Sequence, residues 1–271
     1  MNTGLKRNNK EQYFTKQKVS KELINILNNL FPINKFDIVI EPSAGSGSFL
    51  KELDNFEIKK IISYDIDPQY KNIITQNYLD LDLNYKNCLV IGNPPFGRQS
   101  GLAKKFIKKS CNFCDVIAFI LPKSFKKKSM YNCFDLFFHK VFEKDLDLNS
   151  FEFENKEYSV PCIFQIWKKE TYKRIKTDAL IPDISYRFVK KDDNPDLAFR
   201  RVGSNSGIFK TEDFNKLSSE SHYFIKTEKK EKILEKIPDI EWVHNNTIGP
   251  KSISKQELIS ELNKVFDNLK I

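Results

Sequence analysis

The chain has little of what several function classes require. Three histidines, His139, His222 and His244, lie far apart in 271 residues, and none sits in a Cys/His cluster with zinc spacing. Cys111-Asn112-Phe113-Cys114 is a lone CxxC with no second pair, so structural thiols are expected there and no metal. Five cysteines are an odd number, which favours reduced thiols in a cytoplasmic protein over a disulfide framework. No run approaches the ~18 apolar residues that a membrane span needs. Met1 to Lys10 is polar and basic, which suggests a flexible arm and not a signal peptide. Glycine is scarce at nine residues, and the single close pair, Gly45 and Gly47, lacks the third glycine of a dinucleotide cradle. An oxidoreductase built on such a cradle is disfavoured.

Charge and aromatics are plentiful. The formal net charge is +9, and 23 phenylalanines stand in an otherwise polar sequence. A basic balance fits a polyanionic partner such as nucleic acid, and it equally fits a solvated surface rich in lysine. Apolar positions Val19, Leu23, Ile26, Leu27 and Leu30 recur at helical spacing. Short apolar runs at 36–40, 61–66, 88–92 and 116–121 read as buried strands, and 102–111 as a helix. Strands that are apolar along their whole length point to a parallel sheet covered on both faces. Residues 160–167 complete that sheet. After Lys168 charged and aromatic residues interleave, and Ser254 with Glu257 forms a capping box that starts a final helix.

Two strand ends carry chemistry. The first is Glu41-Pro42-Ser43-Ala44-Gly45-Ser46-Gly47, where the glycines allow the backbone close to a ligand. Glu41 stands where an acid could hold an ammonium group. Asp65, about 20 residues on at the next strand end, suits two ribose hydroxyls. A nucleoside with a positively charged tail therefore fits better than a dinucleotide. The second is Asn93-Pro94-Pro95-Phe96-Gly97. An aromatic amine is a poor nucleophile because its lone pair is delocalised. The Asn93 side-chain oxygen and the Pro94 carbonyl would accept both amine hydrogens, turning the lone pair toward an electrophile and stabilising the charge that grows on nitrogen. Phe96 would stack on a planar substrate.

These residues resemble the Rossmann-like amino-methyltransferases that use S-adenosylmethionine, especially the N6-adenine methyltransferases. The resemblance covers residues 11–169. It implies an α/β fold with a doubly wound, mostly parallel sheet and an antiparallel final hairpin, followed by a small α+β C-terminal region. Gln12-Tyr13-Phe14-Thr15 is similar to the N-terminal element that packs on the methionine end of the cofactor. The glycine loop, with Glu41, Pro42, Ala44, Gly45 and Gly47, and the acid Asp65 with its neighbour Ile66 are the implied cofactor-binding residues. Asn77-Tyr78 falls where the family commonly has Asp-Phe on the cofactor's adenine, and its Asn departs from that pattern. Asn93 to Phe96 is similar to the catalytic loop, with Asn93 also near the cofactor. The segment 149–153, followed by 160–167, is similar to a late hairpin whose aromatic residue covers the flipped base, and Phe153 is favoured over Phe151 for that role.

The expected domains are a basic arm (1–10), a catalytic domain (11–171) and a substrate-recognition region (172–271). Lys123 and Arg98, with Phe96, Gly97 and Phe153, are the candidate substrate contacts, and Arg200 and Arg201 are further candidates for backbone phosphates. Adenine N6 in DNA is the favoured acceptor and RNA the alternative. Protein glutamine methylation, where Tyr usually replaces Phe96, and an inactive binding module are further alternatives. About a hundred C-terminal residues are few for target recognition, so a partner subunit could supply specificity.

Overall fold

The runs read as strands form almost where the sequence places them in the computed structural model, which describes residues 13–153, 156–176, 179–240, 242 and 251–267. The basic arm at 1–10 and Gln12 lie outside the described residues. The chain divides into two compact units between residues 177 and 178.

In the first unit, β1 (Phe14–Thr15) leads into helix α1 (Gln17–Leu30), whose Leu23, Ile24 and Leu27 are buried. Then follow β2 (Ile38–Glu41), α2 (Ser48–Leu53), β3 (Ile61–Asp65), β4 (Ile74–Thr75), β5 (Cys88–Gly92), α3 (Gly101–Cys111) and β6 (Val116–Pro122). The unit continues with β7 (Phe138–Asp145), β8 (Phe151–Phe153), β9 (Lys156–Tyr158) and β10 (Cys162–Lys169). Seven strands form one sheet in the order β4-β3-β2-β5-β6-β10-β7. β10 runs antiparallel to both of its neighbours; the pairings from β4 through β6 are all parallel. Strands β2, β5 and β6 are buried at every position, as strands covered on both faces must be. On one face α3 sets Ala103, Phe106 and Ile107 against Ile40, Val90, Ile117 and Phe119.

Two features differ from expectation. The stretch expected to finish the sheet, here β10, lies inside it, and the edge is β7. That strand was not foreseen because Phe-His-Lys-Val-Phe-Glu-Lys-Asp mixes charge with apolar residues throughout, as protected edge strands do. The late hairpin also pairs differently. Phe151–Phe153 does not return on 160–167; it pairs with β9 on one side and with β1 on the other, as a separate three-stranded sheet.

The second unit is α+β. β11 (Tyr186–Val189), β12 (Leu197–Arg200), β13 (Phe209–Lys210) and β14 (His222–Thr227) form an antiparallel sheet in the order β11-β14-β12-β13. Helices α4 (Lys230–Lys236) and α5 (Lys255–Asp267) complete it. The capping box is present: the Ser254 amide donates to Glu257 Oε2 at 2.7 Å, and the Glu257 amide donates to Ser254 Oγ at 3.2 Å. Leu258, Leu262 and Phe266 of α5 join Leu197, Phe199 and Ile225 in this unit's core.

Candidate active site

Strand order reverses at β2. β3 lies on one side of it and β5 on the other, so the chain crosses over in opposite directions from these two neighbours. In an open α/β sheet, the crevice at the carboxyl ends of such a pair is where ligands bind. Both motif loops leave those two ends. The Ser43 hydroxyl, in the loop after β2, donates to the Asn93 carbonyl after β5 at 3.1 Å and joins them. A cavity there is lined by Tyr13, Phe14, Thr15, Glu41, Ser43, Ala44, Gly45, Ser46, Ser48, Phe49 and Asn93.

Glu41 is 1% exposed, and its Oε2 has no hydrogen-bond partner among the described residues. Burial pushes its carboxyl well above the ordinary range, the charge of Asp65 adds to that, and the Leu50 amide and Ser63 hydroxyl offset it only in part. Asn93 has the matching feature. Its Nδ2 donates to the Tyr13 carbonyl and to Thr15 Oγ1, both at 3.3 Å. A carbonyl can only accept, so the amide orientation is fixed. Asn93 Oδ1 is thereby turned away from β1, buried and without a partner among the described residues. Two orphaned acceptors therefore line one cavity, and unsatisfied buried acceptors of this kind are costly unless a ligand meets them.

Asp65 is placed as expected at the end of β3, with its carboxylate pinned by backbone. Oδ2 accepts from the Gly45 amide and Oδ1 from the Asp67 amide, both at 2.8 Å. The glycine turn spends its other amides internally as well: Ala44 donates to the Tyr64 carbonyl and Gly47 to the Ala44 carbonyl. With α2 only six residues long, the turn is no phosphate cradle. Its use is close approach, since a Cβ on Gly45 would lie 2.9 Å from the Phe14 ring. Ile66, beside Asp65, is 74% exposed and offers an apolar face.

The three-stranded sheet gathers aromatics at this cavity. Phe14 lies 6.3 Å from Phe153, and Tyr13 lies 5.3 Å from Tyr158. Phe151 is buried at 1% exposure, whereas Phe153 stays accessible. Phe96 is half-buried against the α3 side of the core, and its carbonyl accepts from the Leu102 and Ala103 amides. Gly97 has φ +69 and ψ 173, and a Cβ there would come within 2.9 Å of the Leu102 amide nitrogen. Gly97→Ala is thus expected to lower stability by about 2 kcal/mol, read as a shift in denaturation midpoint. A midpoint equal to wild type would show that the loop relaxes freely.

Other predicted residues are not brought together here. Asn77 caps the turn after β4, its Oδ1 accepting from the Leu79 amide and its Nδ2 donating to Asp80. Tyr78 is 1% exposed, stacked on Phe106 with its hydroxyl bound to Ser110 at 2.8 Å, because an aromatic ring with a satisfied hydroxyl is a stable core residue. Lys123 and Lys126 share Asp145, so Lys123 is ion-paired within the protein. Arg98 is exposed. Cys111 and Cys114 are buried thiols, and burial pushes Cys111 up to about 12. Among the described residues no group of His, Cys, Asp and Glu could hold a metal ion, and no helix is long and apolar enough to cross a membrane. Sequence reading missed Ser43, Ser46, Ser48 and Phe49 as cavity residues, and Tyr158 beside Tyr13. Small polar residues in a turn and one tyrosine in a short, glutamate-rich hairpin carry no periodic signal.

Six strands in one direction and a reversed strand inserted next to the edge decide the fold. The sheet is that of the class I methyltransferases. Two curated proteins are similar in sequence: the Type II methyltransferases M.HincII and M.HindII, both of Haemophilus influenzae, are each 24% identical over 230 residues. Those alignments cover 78% of this chain and 43% and 42% of the relatives, so the chain spans less than half of their length. No family model matches the sequence. Solved methyltransferases are more distant. A proposed RNA methyltransferase of Pyrococcus horikoshii has a TM-score of 0.49 and 19% identity, covering 62% of this chain and 92% of that one. The 23S rRNA methyltransferase ErmE has a TM-score of 0.44 and 12% identity, covering 60% and 71%. At such scores the fold assignment rests on strand order.

Proposed function

We propose that the chain transfers a methyl group from S-adenosylmethionine to the exocyclic N6 amine of adenine in DNA. The observation that carries this reading is the pair of buried, unpartnered acceptors, Glu41 Oε2 and Asn93 Oδ1, in one cavity at the switch point of the sheet. Glu41 fits the ammonium of the cofactor's methionine end, the Gly45 turn its close passage, and Asp65 with Ile66 its ribose and adenine. When bound, S-adenosylmethionine supplies a sulfonium-activated methyl group, so positioning provides much of the acceleration.

The chain's own residues then orient the acceptor. Asn93 Oδ1 and the Pro94 carbonyl take the two amine hydrogens and direct the lone pair at the methyl carbon. β1 locks the Asn93 amide so that this oxygen cannot rotate away. Phe96 and Phe153 are the faces available to a planar base. A base in a duplex must first leave the stack, at about a few kcal/mol. Phe153→Ala is expected to raise KM for nucleic acid about tenfold with a smaller change in kcat, given about 1–3 kcal/mol per stacked base; an unchanged KM would assign stacking elsewhere.

Parallel transfer of labelled methyl to DNA, RNA and protein tests the whole reading. Label on adenine N6 of DNA is the expected product. Label on RNA adenine alone would keep the mechanism and change the acceptor, and label on protein alone would overturn the nucleobase reading.

A further inference from the structure

In the second unit, β12 and β14 pair Arg200 with His222, and β12 and β13 pair Ala198 with Lys210. Residues two apart on a strand share a face, so Arg200, Lys210 and His222 lie side by side on one face of this sheet. The imidazole is 4% exposed, yet its Nε2 has no hydrogen-bond partner among the described residues. Its Nδ1 lies 3.0 Å from Ser221 Oγ and 3.1 Å from the Ser218 carbonyl, so it accepts from the hydroxyl in one tautomer and donates to the carbonyl in the other. Ser206, 7% exposed in the β12–β13 turn, likewise has a hydroxyl without a partner among the described residues. That turn is built: the Gly207 amide donates to the Arg200 carbonyl, the Arg200 amide donates to the Ile208 carbonyl, and Arg200 Nε donates to the Val202 carbonyl at 3.2 Å. A buried, unsatisfied imidazole with Arg200 on the next strand and Lys210 one strand further is an arrangement that costs stability as it stands and that an anion would complete.

We infer that this face binds a phosphate group, with Arg200 and Lys210 as the charged contacts and His222 as the buried donor beneath them. The ligand is a phosphate of the nucleic-acid backbone; this identification, unlike the site itself, rests on the reading of the chain as a nucleic-acid methyltransferase. Arg200 meets the anion by turning its guanidinium off the Val202 carbonyl. A phosphate oxygen is met by an Nε2 proton, carried either by the tautomer whose Nδ1 accepts from Ser221 Oγ or by the imidazolium. Burial first, then the charges of Arg200 from β12 and Lys210 from β13, hold the free imidazole below its ordinary value, and the negative charge of a phosphate offsets the two cations.

The test uses the full chain with a duplex oligonucleotide and, separately, with inorganic phosphate. Anisotropy gives the salt dependence of duplex binding for wild type, Lys210→Gln and Arg200→Gln, and NMR follows the imidazole resonances, assigned with His222→Gln. Each cation variant is expected to flatten the slope of log K against log salt by about 0.9, equally for unrelated sequences. His222 is expected to shift and to titrate higher on addition of either ligand. Lys210 is exposed, so its variant folds whatever becomes of Arg200→Gln. Unchanged slopes in both variants, or unmoved His222 resonances, would overturn the site. A moving His222 with no methyl transfer to nucleic acid would leave the site standing and remove the methyltransferase reading instead.

Discussion

Asn93→Ala is expected to lower kcat for methyl transfer about 10²–10³-fold with little change in nucleic-acid KM, the size found when one fixed acceptor or donor is taken from a developing charge. The argument rests on where the side chain is held. Nδ2 is spent on the Tyr13 carbonyl and Thr15 Oγ1, which leaves Oδ1 buried, oriented and unsatisfied. Such an oxygen interacts more strongly with an amine becoming positive than with the neutral amine of the ground state, and therefore acts on kcat. Alanine also removes two long hydrogen bonds to β1, at about 1 kcal/mol each in stability. Thr15→Val separates the effects, since it removes the Thr15 contact and keeps Oδ1. It is expected to retain most of kcat. Wild-type transfer by Asn93→Ala would sink the mechanism, and equal losses in both variants would show that Asn93 acts only by anchoring β1.

Much of this site is legible in the sequence because it consists of strand ends. Cys88–Gly92 runs straight into Asn93, and Ile38–Glu41 into the glycine turn, so continuous apolar runs locate both loops before any contact is known. Neighbourhood is harder to read. That β2 and β5 pair directly follows from strand order, which local patterning does not contain, and β7 escaped because a charged edge strand lacks the apolar run that marks the central ones. Asn77 and Tyr78 were read from a family resemblance instead. Alignment with a family pattern places them at the cofactor, while packing places the Tyr78 ring in the core and uses the Asn77 amide to cap a turn. The orphaned state of Glu41 and Asn93 was not legible at all. It depends on which partners the fold gives to each atom, and that is settled only in three dimensions.

Glu41→Gln is expected to weaken S-adenosylmethionine binding by about 10²-fold while making the ligand-free protein more stable at neutral pH. Breaking a buried charge pair costs about 2–5 kcal/mol, which sets the loss in affinity. The gain in stability comes from the same burial. Glu41 holds a carboxyl whose folded value lies well above its ordinary 4.5, because burial penalises its charge. An acid shifted upward contributes stability that is fully present below about pH 4.5 and is lost as pH rises through the folded value. Glutamine has no such loss. The advantage of the variant is therefore expected to be small near pH 5 and to grow toward pH 8, in denaturant midpoints measured without ligand. Binding must also ionise any Glu41 that is protonated, so titration calorimetry in buffers of different ionisation enthalpy is expected to show proton release from wild type and none from Glu41→Gln. A stability difference that does not change with pH, together with identical proton counts, would remove Glu41 as the ammonium-binding group. Strain relieved by the ligand it selects is a pattern in which function and stability oppose each other at one residue.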